Sequence, residues 1–216
     1  MSEASPYAKS ELKRAAALRM QMVEAHPFWG YLLLQVKLVP QHELGAIAAT
    51  DCVEHIWFDP EKTRHLSNRA FGFVLAHEVG HQLFASSDRG RGRNHHLWNC
   101  ATDYAINRIV ASLRGPANRH LYEAPDDILL DDKYDGMIAE TIYEHLVDEQ
   151  LPDSVTVTIT LSFPNSNAED MRVPHIPNHG GGIDIHLPQG LSPAQHEDLG
   201  DRIAAAITTW QASDRR

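Results

Sequence analysis

The sequence predicts an α+β fold in which a small mixed sheet packs on two central helices. Two observations carry this prediction: short strand-like runs within residues 31–58, and longer helix-like runs at 66–85 and 96–113. A chain of 216 residues is long enough for one domain with a sizeable core. We expect that core within residues 1–150, with a C-terminal extension at 151–216 packed on the same domain.

The N-terminal part predicts one helix followed by strands. Residues 7–25 have the spacing of an amphipathic helix, and His26-Pro27 ends it because the residue before a proline avoids helical backbone angles. The apolar side of this helix carries Leu12, Ala15, Ala16, Met22 and Val23. Three short strands are expected at residues 31–39, 46–50 and 54–58.

The helix predicted over 66–85 begins at Ser67, a residue type that caps helix N-termini. Gly72, Ala76 and Gly80 form a line of small residues along one side. Because glycine inside a helix is about 1 kcal/mol less favourable than alanine, we expect a neighbouring element to approach this side closely.

The C-terminal half predicts two more helices, a strand and a closing helix. Residues 86–94 are rich in Gly, Ser and Asp and are predicted as a loop. Gly115-Pro116 stops the helix at 96–113. The remaining elements are a helix at 138–150, a strand at 154–162, an irregular segment at 164–190 and a helix at 193–210.

Composition excludes several classes of function. The formal net charge is −10, and the acids concentrate between residues 123 and 149, so a nucleic-acid partner is not expected. No run approaches 18 apolar residues and the N-terminus lacks a signal-peptide pattern, so we expect no membrane span and a cytoplasmic location. Cys52 and Cys100 lie in apolar surroundings and are expected to be buried free thiols.

The most informative motif is His77-Glu78-Val79-Gly80-His81, an instance of H-E-x-x-H within the predicted helix. Positions i and i+4 share a helix face, so both imidazoles can reach one metal ion. Glu78 then lies beside the metal, where it can take a proton from a water molecule. The motif therefore predicts a zinc hydrolase, and most simply a peptidase.

A catalytic zinc takes three protein ligands, so a third ligand is required downstream. Metzincins place a histidine six residues after the second motif histidine, and position 87 here is serine. Asp103 is the acid of the helix at 96–113, with Asn99 and Asn107 one turn away on either side. A carboxylate on an apolar helix is costly to bury unless it is paired or bound to a metal, so we expect Asp103 as ligand and the two asparagines in support.

Other arrangements remain open for these residues. Asp103 could instead cap a helix or pair with Arg108, and His95-His96 could supply the third ligand. The acidic stretch at 126–135 is predicted as a solvated face, with a calcium site as the alternative.

The segment at 75–107 resembles the "putative metallopeptidase domain" family found beside von Willebrand A-like proteins in bacteria and phages. That family pairs H-E-x-x-H with N-x-A-x-D-x-x-x-N, which this sequence matches at Asn99, Ala101, Asp103 and Asn107. The resemblance extends over about residues 5–150. One departure is Cys52, where the family pattern leads us to expect glycine.

The resemblance implies a zincin-like fold, zinc held by His77, His81 and Asp103, and Glu78 as general base. It implies a peptide or protein as substrate. The alternative is a non-catalytic zinc-binding module that acts within a protein complex. In either case a protein partner could bind the acidic face or the C-terminal extension.

Three features have no firm assignment from the sequence. The group that stabilises the oxyanion could be Tyr104, Tyr143, His145, Arg93 or His186. The segment containing His175, His179 and His186 is predicted as a surface loop that could lie over the site. We expect the strand at 54–58 to lie near the site and to offer a sheet edge for an extended substrate.

Overall fold

The computed structural model describes residues 5–126, 128–149, 156–158, 172–174 and 192–214. This part of the chain is mixed α+β, as predicted. In chain order its elements are α1 (Ala8–Ala25), α2 (Pro27–Leu34), β1 (Lys37–Pro40), β2 (Ala48–Thr50), β3 (His55–Phe58), α3 (Pro60–Thr63), α4 (Asn68–Leu83), α5 (Ser86–Arg89), α6 (His95–Ser112), α7 (Ala139–Asp148), β4 (Thr156–Thr158), β5 (Arg172–Pro174) and α8 (Pro193–Asp214).

The prediction of a strand over 31–39 is wrong for its first half, which belongs to helix α2. Tyr31 to Leu34 contains no β-branched residue, and the buried side chains have helical spacing. They are Trp29, Leu32, Leu33 and Val36. Pro27 occupies the first turn of α2, where its missing N–H leaves no hydrogen bond unmade.

The buried face of helix α1 includes Ala15 and Met22, as predicted, but it is rotated relative to the rest of the predicted face. Its buried residues are Glu11, Ala15, Leu18 and Met22, at the i, i+4, i+7, i+11 spacing of one helix stripe. Leu12 and Ala16 are exposed instead. Glycine at position 30 lets α2 pack directly on α1, because a Cβ there would lie 2.4 Å from the backbone of Val23.

The sheet has the strand order β1-β3-β2, with β1 parallel and β2 antiparallel to β3. The strand predicted at 54–58 is therefore the central strand, and its expected role as a sheet edge is wrong. Among the described residues the open edges belong to β1 and β2, because β3 pairs on both sides. Strand β2 also packs against α4, so it is the edge strand beside that helix.

A tight turn joins β2 to β3. Asp51 caps it, since its Oδ1 accepts hydrogen bonds from the backbone N–H groups of Val53, Glu54 and His55 at 2.9 to 3.0 Å. Cys52 adopts φ of 57°, in the left-handed region that favours glycine. This left-handed backbone conformation explains why glycine is expected at position 52.

Helix α4 is the centre of the fold. Every residue from Ala70 to Gln82 is buried, which is typical of a helix surrounded by other elements. It contacts α1, α2, α6 and β2 within the main hydrophobic core. A second cluster joins α6 to α7.

Two segments predicted as irregular contain structure. Residues 86–89 form the helical turn α5, and residues 172–174 form β5, paired antiparallel to β4. The predicted strand at 154–162 is confirmed at Thr156–Thr158, and its other residues lie outside the described part. His175, His179 and His186 also lie outside it.

Three further expectations are met within the described residues. Helix α8 begins at Pro193 as predicted. Cys52 and Cys100 are buried, and neither forms a disulfide within the described part of the chain. No helix in this part of the chain has both the length and the apolar character needed to cross a membrane.

Candidate metal centre

Helix α4 presents the motif residues to the interior. Ser67 caps it as predicted, because its side chain accepts the hydrogen bond from the N–H of Ala70 at 3.0 Å. His77, Glu78 and His81 are each 0% exposed. Three strongly polar side chains therefore lie at the middle of the core, where polar groups are held by specific partners.

Helix α6 brings Asp103 to the same place. Asn94 caps this helix by accepting from the N–H of Leu97, and the helix then contributes to both apolar clusters. Residues of α6 such as Ile106 belong to the main core, whereas Ala101 and Tyr104 belong to the second cluster. Asp103 is 3% exposed.

The donor atoms of His77, His81 and Asp103 converge. Nε2 of His77 lies 2.9 Å from Nε2 of His81. Oδ1 of Asp103 lies 3.8 Å from the first of these nitrogens and 3.4 Å from the second. Among the described residues, these three form the one group of His, Cys, Asp and Glu that could hold a metal ion.

These separations fit a small divalent cation. Two ligand atoms at about 2.0–2.1 Å from a tetrahedral zinc lie about 3.3 Å apart, and the three observed separations lie on both sides of that value. Two imidazole nitrogens and one carboxylate oxygen are also a donor set that zinc accepts. Both the spacing and the chemistry of the residues therefore fit a metal ion.

The alternatives for the third ligand do not assemble in this way. The structure brings Asp103, and not His95 or His96, to the two motif histidines. The Nε2 of His96 lies 3.9 Å from Sγ of Cys100, and burial lowers the pKa of this imidazole. Arg108 pairs with Asp132 at 2.5 Å and Asp135 at 3.4 Å, rather than with Asp103.

Those ion pairs also bear on the acidic stretch at 126–135. Two of its carboxylates have Arg108 as counterion, and no group of metal-ligand residues is found there among the described residues. Its interpretation as a solvated, exposed face agrees with the exposure of Asp132 and Asp135.

The two asparagines beside Asp103 differ from each other. Asn107 is 1% exposed, and its Nδ2 donates to the carbonyl of Leu129 at 3.0 Å, which ties the segment before α7 to the ligand helix. Asn99 is only half-buried, and its backbone carbonyl accepts a hydrogen bond from the hydroxyl of Thr102. Their expected support of Asp103 stays a prediction.

The candidates for oxyanion stabilisation are dispersed. Tyr104 packs on Tyr134 in the second cluster, and burial raises its pKa to about 12. Arg93 lies over the rings of Trp98 and Tyr143, at 4.7 and 5.6 Å from their centroids. The hydroxyl of Tyr143 accepts from the N–H of Asn94.

The remaining two candidates for oxyanion stabilisation are His145 and His186. His145 is exposed and has an edge contact with the ring of Tyr134, at 6.4 Å between centroids. His186 lies outside the described residues.

The line of small residues on α4 has the predicted effect. A Cβ on Gly80 would lie 2.6 Å from Cγ2 of Ile106 on α6, and a Cβ on Gly72 would lie 2.8 Å from the ring of Tyr122. Both distances are shorter than any ordinary carbon contact. The neighbouring elements therefore approach α4 more closely than a side chain would allow.

One contact of the segment between the two ligand helices was not predicted from the sequence. Arg89, in the segment that joins the two ligand helices, donates from Nε and from a terminal nitrogen to the two carboxylate oxygens of Glu140 on α7. This guanidinium lowers the pKa of Glu140. No local pattern could predict a pair of residues 51 positions apart in the sequence.

Comparison with known proteins adds one finding. The model of a protein family described as "Putative metallopeptidase domain" matches residues 9–214, and so continues well past residue 150. No curated protein and no solved structure matches the chain.

Proposed function

The chain belongs to the "Putative metallopeptidase domain" family, and on that premise we propose that it is a zinc-dependent peptidase. The observation that carries the proposal is the convergence of His77, His81 and Asp103 within 3.8 Å of one another. In this proposal Nε2 of each histidine and Oδ1 of Asp103 hold the zinc ion. Three protein ligands leave one coordination position for water or substrate.

A zinc ion held by these residues would supply Lewis-acid chemistry to the reaction. Glu78 supplies the proton transfer. It follows His77 directly on α4, so the carboxylate is held by the same rigid helix as two of the ligands. It accepts a proton from the attacking water and delivers it to the amine that leaves, which is the role of a general base and then a general acid.

The buried position of Glu78 supports a catalytic role. Glu78 is 0% exposed, and the three proposed ligands can hold a metal ion without a second acidic group at this place. In a water-poor environment the same carboxylate interacts more strongly with a developing charge than it would at the surface. Its buried location beside the proposed ligands therefore suits a role in hydrolysis.

The second candidate function is a non-catalytic zinc-binding module within a protein complex. The observation that favours it is the burial of the whole set, since His77 and His81 are 0% exposed and Asp103 is 3% exposed. A peptide reaches such a site only if part of the surrounding structure moves aside. A structural zinc ion needs no such motion.

The Glu78→Gln variant separates the two functions. Glutamine has nearly the same shape but cannot accept the proton, so we expect kcat/KM for an unstructured peptide to fall by about 10²–10⁴-fold. Zinc content should stay at one ion per chain in the same protein, as measured by atomic emission. The matched control is Glu144→Gln, which removes a carboxylate from the exposed face of α7 and should leave both values unchanged.

Two outcomes would contradict the peptidase. One is full hydrolytic activity in Glu78→Gln, which would remove Glu78 from the mechanism. The other is a zinc-loaded wild-type chain that cleaves no member of a broad panel of unstructured peptides, which would favour the binding module.

A further inference from the structure

Glycine at position 80 does more than permit close packing. We infer that the contact between Gly80 of α4 and Ile106 of α6 sets the distance between the two ligand helices, and so positions Asp103 against His77 and His81. The inference rests on the metal centre of the proposed function. It assigns Gly80 and Ile106 as positioning residues, which act on the donor atoms through the spacing of the helices.

The contact lies at the level of the donor atoms. Gly80 directly precedes His81 and is three residues after His77, while Ile106 is three residues after Asp103. At a rise of about 1.5 Å per residue, each partner is within about one turn of the ligands on its own helix. Ile106 is 2% exposed and belongs to the main core, so it has little room to retreat.

The geometry at this contact leaves no space for a methyl group. A Cβ on Gly80 would lie 2.6 Å from Cγ2 of Ile106, with Cγ1 and Cβ of Ile106 next at 3.5 and 3.6 Å. An ordinary carbon contact is about 3.5–4.0 Å, so the atoms would have to separate by about 1 Å. Isoleucine in a helix has one strongly preferred χ1 rotamer, so Cγ2 cannot easily rotate away. The helices themselves must then move apart.

A metal centre tolerates much less movement than that. Metal–ligand distances are held to about 0.2 Å of their ideal values. A displacement of about 1 Å between α4 and α6 at this level would carry Oδ1 of Asp103 away from both imidazoles. The helix pair would survive as a packed pair, but the donor set would no longer close around one ion.

A second glycine on the same helix provides the comparison. Gly72 faces the ring of Tyr122, and a Cβ at this position would lie 2.8 Å from that side chain. Tyr122 belongs to an irregular segment, and the atoms in contact are Cε1 and Cδ1 on one edge of its ring. No proposed metal ligand is attached to that segment. Alanine at position 72 therefore meets a similar clash with no consequence for the donor atoms.

The test compares Gly80→Ala with Gly72→Ala. Zinc affinity is measured by competition with a chromophoric chelator, and the thermal unfolding of each metal-free protein is measured in parallel. We expect Gly80→Ala to weaken zinc binding by about 10- to 100-fold, the range seen when residues that orient metal ligands are altered. Gly72→Ala should change zinc affinity by less than about 2-fold, although both variants gain the same helix propensity.

A double variant tests the mechanism directly. Ile106→Leu keeps the side-chain volume but removes the branch at Cβ, so Cγ2 no longer faces position 80. In Gly80→Ala/Ile106→Leu we expect zinc affinity to return to within about 3-fold of Ile106→Leu alone. If Gly80→Ala alone fails to fold, the double variant tests the inference, because the inference requires the double variant to fold and to bind zinc.

The inference is overturned if folded Gly80→Ala binds zinc as tightly as the wild type, or if Gly72→Ala loses as much affinity. A folded double variant without zinc affinity would overturn it as well. Because zinc affinity and not hydrolysis is measured, an absence of peptidase activity would contradict the proposed function while these affinities still decide the role of Gly80.

Discussion

Two buried polar clusters adjoin the main core. Each contains a carboxylate, but the carboxylate has a different kind of partner in the two clusters. The anchor cluster consists of Glu11, Arg14 and Thr63 and joins α1 to α3. The metal-centre cluster consists of His77, Glu78, His81 and Asp103 on α4 and α6. Their carboxylates are similarly buried, since Glu11 is 6% exposed and Asp103 is 3% exposed.

In the anchor cluster the charge of Glu11 is matched by a guanidinium. Its Oε2 accepts from the hydroxyl of Thr63 at 2.9 Å and from Arg14 at 3.0 Å. Arg14 also donates to the carbonyls of Thr63 and Leu66 and to Oδ1 of Asn68. Arginine carries its charge at every ordinary pH, so this arrangement stabilises the fold without any further group.

In the metal-centre cluster Asp103 faces imidazoles, at 3.8 Å from His77 and 3.4 Å from His81. An imidazole is a counterion only when protonated, and a metal ligand only when its donor nitrogen is not. The arrangement therefore suits a bound cation better than it suits an ion pair. The comparison leads us to expect that the partner of a buried carboxylate, more than its burial, distinguishes a role in stability from a role in function.

The largest expected effect that sharpens this comparison is that of Asp103→Ala. We expect zinc affinity to fall by at least about 100-fold, because even residues that only orient ligands contribute about 10- to 100-fold. The metal-free variant should unfold close to the metal-free wild type, since the loss of the contacts of Asp103 is offset by the removal of a costly buried carboxylate. Chelator competition and calorimetry measure the two effects.

A loss of stability without a loss of zinc affinity in Asp103→Ala would contradict the distinction between the two clusters. If metal-free Asp103→Ala unfolded well below the metal-free wild type and still bound zinc normally, Asp103 would be a structural residue like Glu11.

Glu11→Gln is expected to have a smaller effect, and this effect is on stability and not on zinc affinity. Glutamine keeps the shape of the side chain but loses the charge that Arg14 and Thr63 recognise, so we expect a loss of about 1.5–3 kcal/mol in the free energy of unfolding. Urea denaturation measures this loss. Zinc affinity should stay within about 2-fold of the wild type, because α1 carries none of the proposed ligands. Unchanged stability, or a large loss of zinc affinity, would show that the two clusters are not separate in function.

The metal-centre cluster was predictable from sequence because its signals are local. His77 and His81 share a helix face by their spacing, and Asp103 is conspicuous as the acid on an apolar helix. Its convergence with the histidines follows from the packing of α4 on α6, whereas the small residues of α4 predicted a close neighbour without identifying which element it is.

The anchor cluster and the clamp of Arg89 on Glu140 were not predictable in this way. Their partners lie far apart in the sequence, at 52 positions between Glu11 and Thr63 and 51 between Arg89 and Glu140. Helix α2 was mistaken for part of a strand because a short apolar run is compatible with either element until its neighbours are known. Sequence patterns thus predict elements and local motifs, whereas long-range pairing depends on the assembled fold.

X-ray absorption at the zinc edge tests the central claim most directly, with wild-type protein loaded with one equivalent of zinc. We expect one bound ion per chain with nitrogen and oxygen neighbours at about 2.0–2.1 Å, including the outer-shell scattering of two imidazole rings. The same spectrum of Asp103→Ala should show a changed first shell or no stoichiometric zinc. A sulfur neighbour at about 2.3 Å, or a wild-type chain that retains no zinc, would contradict a centre built from His77, His81 and Asp103.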